Sequence, residues 1–302
     1  MISMVIGLFI LAGVLYVFQG SRQTYRYNEE LSRIQENGRI AVEVLTRDVR
    51  MAGFIGCGKQ GVVTLSGAGV GGLPDLSPTT ALVGNPGGVV LAGAVAGSDV
   101  LRVRRMADSA SQLDPASPMA SRTGAFTLLG DAGFTAGATG IISDCEEADI
   151  FTAAGVAGGV QVTPASALVR TYSRGVAGLY EENTYFVQNT GRVNRAGNAI
   201  NALSVRRADG TVDEMVEGVD QMVLTYGFDS DANGDIDTYR AAAAVTDWSE
   251  VRSVRADLLI SSVEDNAVVE QQGFSFLGGP AFADRKLRTA VGVTIAIRNR
   301  LN

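Results

Sequence analysis

The sequence predicts an α+β protein in which one long N-terminal helix packs on an antiparallel β-sheet head. Three observations predict it. Residues Met1 to Ala52 contain no proline and no turn signal. An apolar stripe marks the second half of that segment. From residue 98 onward, short β-type runs alternate with Gly, Asn and Asp. A helix followed by many strands reads as a sheet laid on the helix stripe.

The helix comes first. MISMVIGLFILAGVLYVF, residues 1–18, carries no charge. At about 1.5 Å per residue it reaches roughly 27 Å, close to one hydrocarbon thickness. No Lys or Arg precedes this run and no A-x-A pattern follows it, so it does not read as a cleaved signal peptide. Its apolar packing surface consists of Val5, Ile6, Leu8, Phe9, Leu11, Val14, Leu15 and Phe18. Arg22 and Arg26 mark where the helix meets a polar zone. Beyond them, Leu31, Ile34, Gly38, Ala41, Leu45, Val49 and Ala52 recur at steps of three or four, which is one helical face. Glu29–Arg33 and Glu43–Arg47 are i,i+4 pairs in the favourable order, and Gly53 suits a helix C-cap. Residues 1–53 therefore form a spine, with 1–18 buried in a membrane or among like helices. Residues 54–302 form the head.

Residues 56–97 hold twelve glycines and three prolines and read as loop-rich. Gly67, Gly69 and Gly72 match GxGxxG, but LPDLSP follows and cannot start the long helix a dinucleotide site needs. Strand-type runs then fall at 98–106, 139–145, 183–189, 202–207, 221–229, 250–262 and 289–299. Alternation is clearest at Val251, Val254, Ala256, Leu258 and Ile260, with one shift of register.

Composition narrows the function. The 302 residues include no histidine, which removes Ser-His-Asp and Cys-His chemistry and the commonest metal ligand. A formal net charge of −7 argues against a dedicated nucleic-acid binder. Arg102, Arg104 and Arg105, and Arg206 with Arg207, read as solvated strand faces. Cys57 and Cys145, 88 positions apart, form either one disulfide or two buried thiols. An exported chain permits the bridge, worth roughly 4 kcal/mol in the chain-entropy model.

The sharpest chemical motif is DSDANGDID, residues 229–237. Asp229, Asp231 and Asn233 stand at positions 1, 3 and 5 of a calcium loop. Gly234 takes the sharp turn, Asp235 offers its carbonyl, and Asp237 stands at position 9. Arg240 occupies position 12, where an EF-hand needs glutamate, so the pattern is a Ca²⁺ loop between two strands. The competing reading is a hydrated acidic hairpin turn. Asp144, Glu146, Glu147 and Asp149 read as a solvated acidic loop rather than a hydrolytic carboxylate pair. Trp248 is expected in the core or at a sheet edge.

The run IGLFILAGVLYVFQGSRQTYRYNEELSRIQENGRIAVEVLTRDVRMAGFIGCG resembles the N-terminal region of PilW-type minor pilins of the type IV pilus, and DRKLRTAVGVTIAIRNR resembles that family's C-terminal end. The resemblance implies a pilin-like α+β fold and a non-enzymatic subunit that primes pilus assembly at or near the tip. It implies contacts with other minor pilins and the major pilin through the N-terminal helix, and with a tip adhesin. It also implies an inner-membrane location with a periplasmic head before assembly, and an extracellular pilus tip after it. The family's prepilin leader and Phe-Thr-Leu-Ile-Glu-like stretch align upstream of Met1, so the family's docking glutamate has no counterpart in the sequence. A type II secretion pseudopilin and a membrane-tethered adhesive domain are the alternative readings.

Overall fold

The structure is a computed structural model that describes residues 2–56, 64–67, 72–85, 91–231, 233–265, 267–268, 275–279, 282 and 284–300; the side chains of Ile2, Ser3, Val5, Thr64 and Leu65 fall outside that description. It opens with α1 (Ile2–Arg50), 49 residues and roughly 74 Å long. Gly53, at φ 71°, closes the helix as a C-cap and donates its N–H to the Arg104 carbonyl.

The head holds two sheets among the described residues. Among the described residues the larger is built from β1 (Thr64–Ser66), β2 (Leu82–Gly84), β3 (Leu101–Met106), β4 (Ser111–Gln112), β5 (Phe126–Thr127), β6 (Thr139–Ser143), β7 (Glu147–Ala157), β8 (Gln161–Pro164), β9 (Val176–Val193), β10 (Ala199–Arg207) and β11 (Val212–Glu217). Its main path runs β11-β10-β9-β6-β7-β8-β5. Among the described residues only β1, against β7, pairs in parallel. The smaller sheet runs in the order β13 (Thr238–Arg240), β12 (Val219–Phe228), β14 (Val251–Ser261), β15 (Arg288–Ala296), all antiparallel. Every strand-type run expected from the sequence overlaps a strand; 183–189 and 202–207 lie within one, and the others overrun their strands by up to three residues at an end. The register shift expected in 250–262 is a bulge, because Gly227 pairs with Ser253 while Phe228 pairs with Val251.

The helix stripe forms part of the main core. Ile34, Ala41, Leu45, Val49 and Ala52 are buried with residues of both sheets, among them Leu101, Val187, Leu224, Leu258 and Ile295. Gly38 lets the helix approach β15: a Cβ there would stand 3.1 Å from Val291 Cγ2. Trp248 packs edge-on to Tyr226 at this core, with ring centroids 4.8 Å apart. A second core, centred on Phe126, Phe134 and Phe151, sits away from the helix.

Two expectations are corrected. Glu29 pairs with Arg33 at 2.7 Å as anticipated, but Arg47 turns away from Glu43 to Asp108, and Glu43 pairs with Arg39 at 3.3 Å. A fixed partner on the head wins over an i,i+4 pair worth only a few tenths of a kcal/mol. The arginines of β3 do not form a solvated face. Arg105 is buried against Asp48 and Glu181, Arg104 pairs with Glu182 at 2.7 Å, and burial pulls the half-buried Arg102 below the usual guanidinium range.

Candidate functional site

The helix divides into two unlike halves. Ile6, Leu8, Phe9, Leu11, Val14, Leu15 and Phe18 are each more than half exposed. Val5, expected on the same surface, has its side chain outside the described residues. The guanidinium of Arg22 lies 5.4 Å from the Phe18 ring centroid and ends the apolar stretch. The first tie to the head is Gln23 Nε2 to the Ala267 carbonyl at 3.2 Å, followed by Asn37 Nδ2 to the Glu217 carbonyl at 3.0 Å.

Among the described residues, no helix is long and apolar enough to cross a membrane. Within the segment 1–18 expected in a membrane or among like helices, residues 6–18 present an exposed apolar helix surface.

At the other end of the helix an acid sits on the packed face. Asp48 is 4% exposed. Its carboxylate accepts hydrogen bonds from Arg105 Nη2 at 3.2 Å, Asn183 Nδ2 at 2.6 Å and Tyr185 OH at 2.6 Å. Burial, then the Asp48 charge and hydrogen bond, push the Tyr185 phenol well above its usual range. This cluster locks α1 to β3 and β9. The sequence carried half of its signal, since Asp48 falls on the stripe that includes Leu45, Val49 and Ala52; its partners, distant in sequence, gave none. A second buried pair joins Arg288 to Asp220 at 3.1 Å and to Asp284 at 2.5 and 2.7 Å. Arg300 is buried with carbonyl partners on Trp248, Val251 and Pro78, and burial pushes it down to about 10. Together these contacts fasten the C-terminal strand to the head.

The acidic loop 229–237 connects β12 to β13, between two strands as its flanks suggested. Asp229, Asp231 and Asp237 each bring a carboxylate oxygen within 4.8 Å of the others. Asp229 is the inner member and the other two are exposed. The loop folds around its own carboxylates: Asp229 accepts from the N–H groups of Asn233 and Gly234, and Asn233 Oδ1 accepts from Asp235 N at 2.7 Å. Gly234 turns with φ 96°. The Ser230 hydroxyl and N–H hold the Asp237 carboxyl below the usual carboxylate range.

The remaining expectations find these places. Cys145 sits at the β6–β7 turn with φ 74°, and its expected partner, Cys57, lies outside the described residues. Gly69 of the GxGxxG match lies outside them too, and irregular chain rather than a helix follows Gly72. The acidic loop 144–149 is corrected: Asp149 is buried in β7, where it accepts from Tyr172 OH at 2.9 Å and from Val169 N, and burial raises its pKa. Asp144 and Glu146 pair with Arg170 at 2.7 and 2.9 Å.

The family model described as PilW, type IV pilus-assembly protein W, matches residues 184–299. The matched stretch runs from within β9 through β15, and takes in the acidic loop and the Asp220–Arg288 pair. Neither curated proteins nor solved structures give a match. The match overlaps the C-terminal run DRKLRTAVGVTIAIRNR and lies downstream of α1. The match covers less than half of the chain, and with the pilin-like α+β architecture it is consistent with the resemblance to the PilW family of type IV pilus assembly.

Proposed function

We propose that the chain is a structural minor pilin, a low-abundance subunit that primes type IV pilus assembly and sits at or near the tip. The observation that carries this reading is the division of α1. One half is locked into the head by the stripe and Asp48, and the other presents an exposed apolar surface. Such a surface needs cover from lipid or from like helices. Transfer from the inner membrane into a bundle of pilin helices keeps it covered throughout, because both surroundings are apolar. The major pilin and other minor pilins are the partners in this scheme. The periplasmic head becomes extracellular on assembly and offers a surface to a tip adhesin.

Deletion of the gene tests the proposal. Surface pili and twitching are lost on deletion and restored by the wild-type chain. Wild-type piliation in the deletion strain would refute it. A type II secretion pseudopilin predicts normal pili and a secretion defect instead.

Two local proposals accompany this reading. Asp229, Asp231 and Asp237, with Asn233 and the Asp235 carbonyl, hold Ca²⁺; three carboxylate oxygens gathered at one loop fit a hard cation that takes six to eight oxygens. Calcium would supply the charge that lets these carboxylates sit together. EDTA is then expected to lower the melting temperature and millimolar Ca²⁺ to restore it; identical curves would argue against the site. Cys57 and Cys145 form one disulfide, readable as a loss of two mass units relative to the reduced chain.

A further inference from the structure

We propose that β15 is a docking edge that takes up an extended strand from a second polypeptide. The proposal concerns a part of the head distinct from the apolar helix surface. It begins with the edges of the two sheets. Unpaired strand edges invite foreign strands, and proteins blunt them with short strands, charges, prolines or bulges. Among the described residues, β1, β2 and β13 are three residues long, and β4 and β5 are two. The outermost strand β11 is six residues long but carries Asp213, Glu214 and Glu217, and its pairing with β10 is broken by a register shift.

Among the described residues, the other outer strand of the smaller sheet carries one charge, the buried Arg288 at its first position, and otherwise none of these devices. β15 is nine residues long and pairs with β14 from Arg288 to Ala296 without a register shift. The direction of its free backbone groups follows from the bonds at its two ends. Ser262 N donates to Leu287 O, and Ile297 N donates to Arg252 O. Bonded and non-bonded pairs alternate in an antiparallel ladder. Residues 289, 291, 293 and 295 therefore turn their N–H and C=O groups toward β14. Ala290, Gly292, Thr294 and Ala296 turn theirs outward. Their side chains are exposed, small and uncharged. Gly292 keeps the face low, since a Cβ there would stand 2.6 Å from Asp257 Oδ1.

The edge also specifies its occupant. A row of alternating outward donors and acceptors at strand spacing is matched by another extended backbone, which is the basis of β-strand addition. Val291 and Val293, on the helix side, are packed on the core yet only partly buried. An incoming strand completes their cover with apolar side chains on that face. Opposite the neutral Ala290–Ala296 row it carries uncharged residues, because no charge on β15 would pair with one. The occupant is thus an alternating, uncharged β-strand of another protein chain.

Residue-resolved amide hydrogen exchange tests this on the full chain. It is measured on the isolated subunit in detergent and on the complex recovered from cells through a C-terminal tag. In the complex, the amides of Ala290, Gly292, Thr294 and Ala296 are expected to slow at least tenfold, while those of Val291, Val293 and Ile295 keep their rates. Equal rates at the four outward amides in both samples overturn the proposal, as does recovery of the subunit alone. Thr294→Pro gives the second arm. It removes an outward N–H and leaves the β14 ladder intact, so normal melting with lost co-purification supports the edge and full co-purification overturns it. If the proline lowers melting, Ala290→Lys combined with Thr294→Lys replaces it under the same criterion. A deletion strain that keeps its pili defeats the pilus reading and leaves the exchange result to stand alone.

Discussion

Residues 6–18 and 31–52 belong to one helix and obey different rules. In the second stretch the apolar stripe is packed into the main core, and an acid on the same face is satisfied by three partners. In the first, large apolar side chains are each more than half exposed. The glycines repeat the contrast. Gly38 is pressed on Val291, whereas a Cβ at Gly7, Gly13 or Gly20 would meet no atom within 4 Å. The same helical repeat serves stability in one half and association in the other. A substitution should therefore change either melting or assembly according to its half.

The largest expected effect is a failure of assembly without a failure of folding. Phe9→Asp places a charge on the free apolar surface, at about 2.5–3.5 kcal/mol in an apolar bilayer centre. That corresponds to roughly a hundredfold loss of incorporation into pili, read by immunoblot of sheared filaments. Melting of the head stays within about 0.5 kcal/mol of wild type. A parallel loss of head stability would erase the distinction between the halves.

Asp48→Ala is expected to do the reverse. It leaves Arg105, Asn183 and Tyr185 facing an empty place at a buried site. Breaking a buried pair costs about 3–5 kcal/mol. Arg105 keeps Asp108 and Glu181, which puts the loss near the lower end. Denaturant unfolding measures it, and a change under 1 kcal/mol would show that the cluster does not anchor the helix.

A smaller effect separates the glycines. Gly38→Val drives branched carbons into Val291 and should cost about 1–3 kcal/mol, as overpacking does. Gly13→Ala meets open space, and its gain of about 1 kcal/mol of helix propensity stays in the free half. Circular dichroism melts should fall for Gly38→Val and stay at the wild-type temperature for Gly13→Ala. An unchanged melt for Gly38→Val would mean that Gly38 is not tightly packed.

How much of this was legible in the sequence depends on the range of the interaction. The stripe, the Glu29–Arg33 pair, the Gly53 cap and the strand positions are local patterns, and each reads from residues within a few positions of one another. The β3 arginines were misjudged because alternation shows which face a side chain takes but not what lies across it; Glu181, Glu182 and Asp48 lie far along the chain. Asp149 was misread for a related reason. Four acids in six residues look solvated until Tyr172 and the Val169 N–H appear above one of them. The acidic loop was readable because its donors are neighbours in sequence. The bare edge of β15 was not, since an edge exists only once the strand order is known.

The finest test of the packed half is a pH slope. Burial and the neighbouring Asp48 charge raise the Tyr185 phenol above the ordinary value of 10.0. A group raised on folding contributes stability that is complete below its unfolded pKa and is lost as pH rises beyond it. In the unfolded chain the phenol ionises near pH 10, while in the folded chain it stays neutral and bonded to Asp48. Tyr185→Phe removes that bond, worth about 1.5–3 kcal/mol to a charged acceptor. The variant should be less stable than wild type at pH 7, and the gap should narrow as pH passes about 10. Other buried tyrosines titrate equally in both proteins and cancel in the difference. A gap that stays constant to about pH 11 would mean that the Tyr185 phenol is not held neutral against Asp48. The helix would then be fixed to the head by its apolar stripe, with the carboxylate a minor contributor.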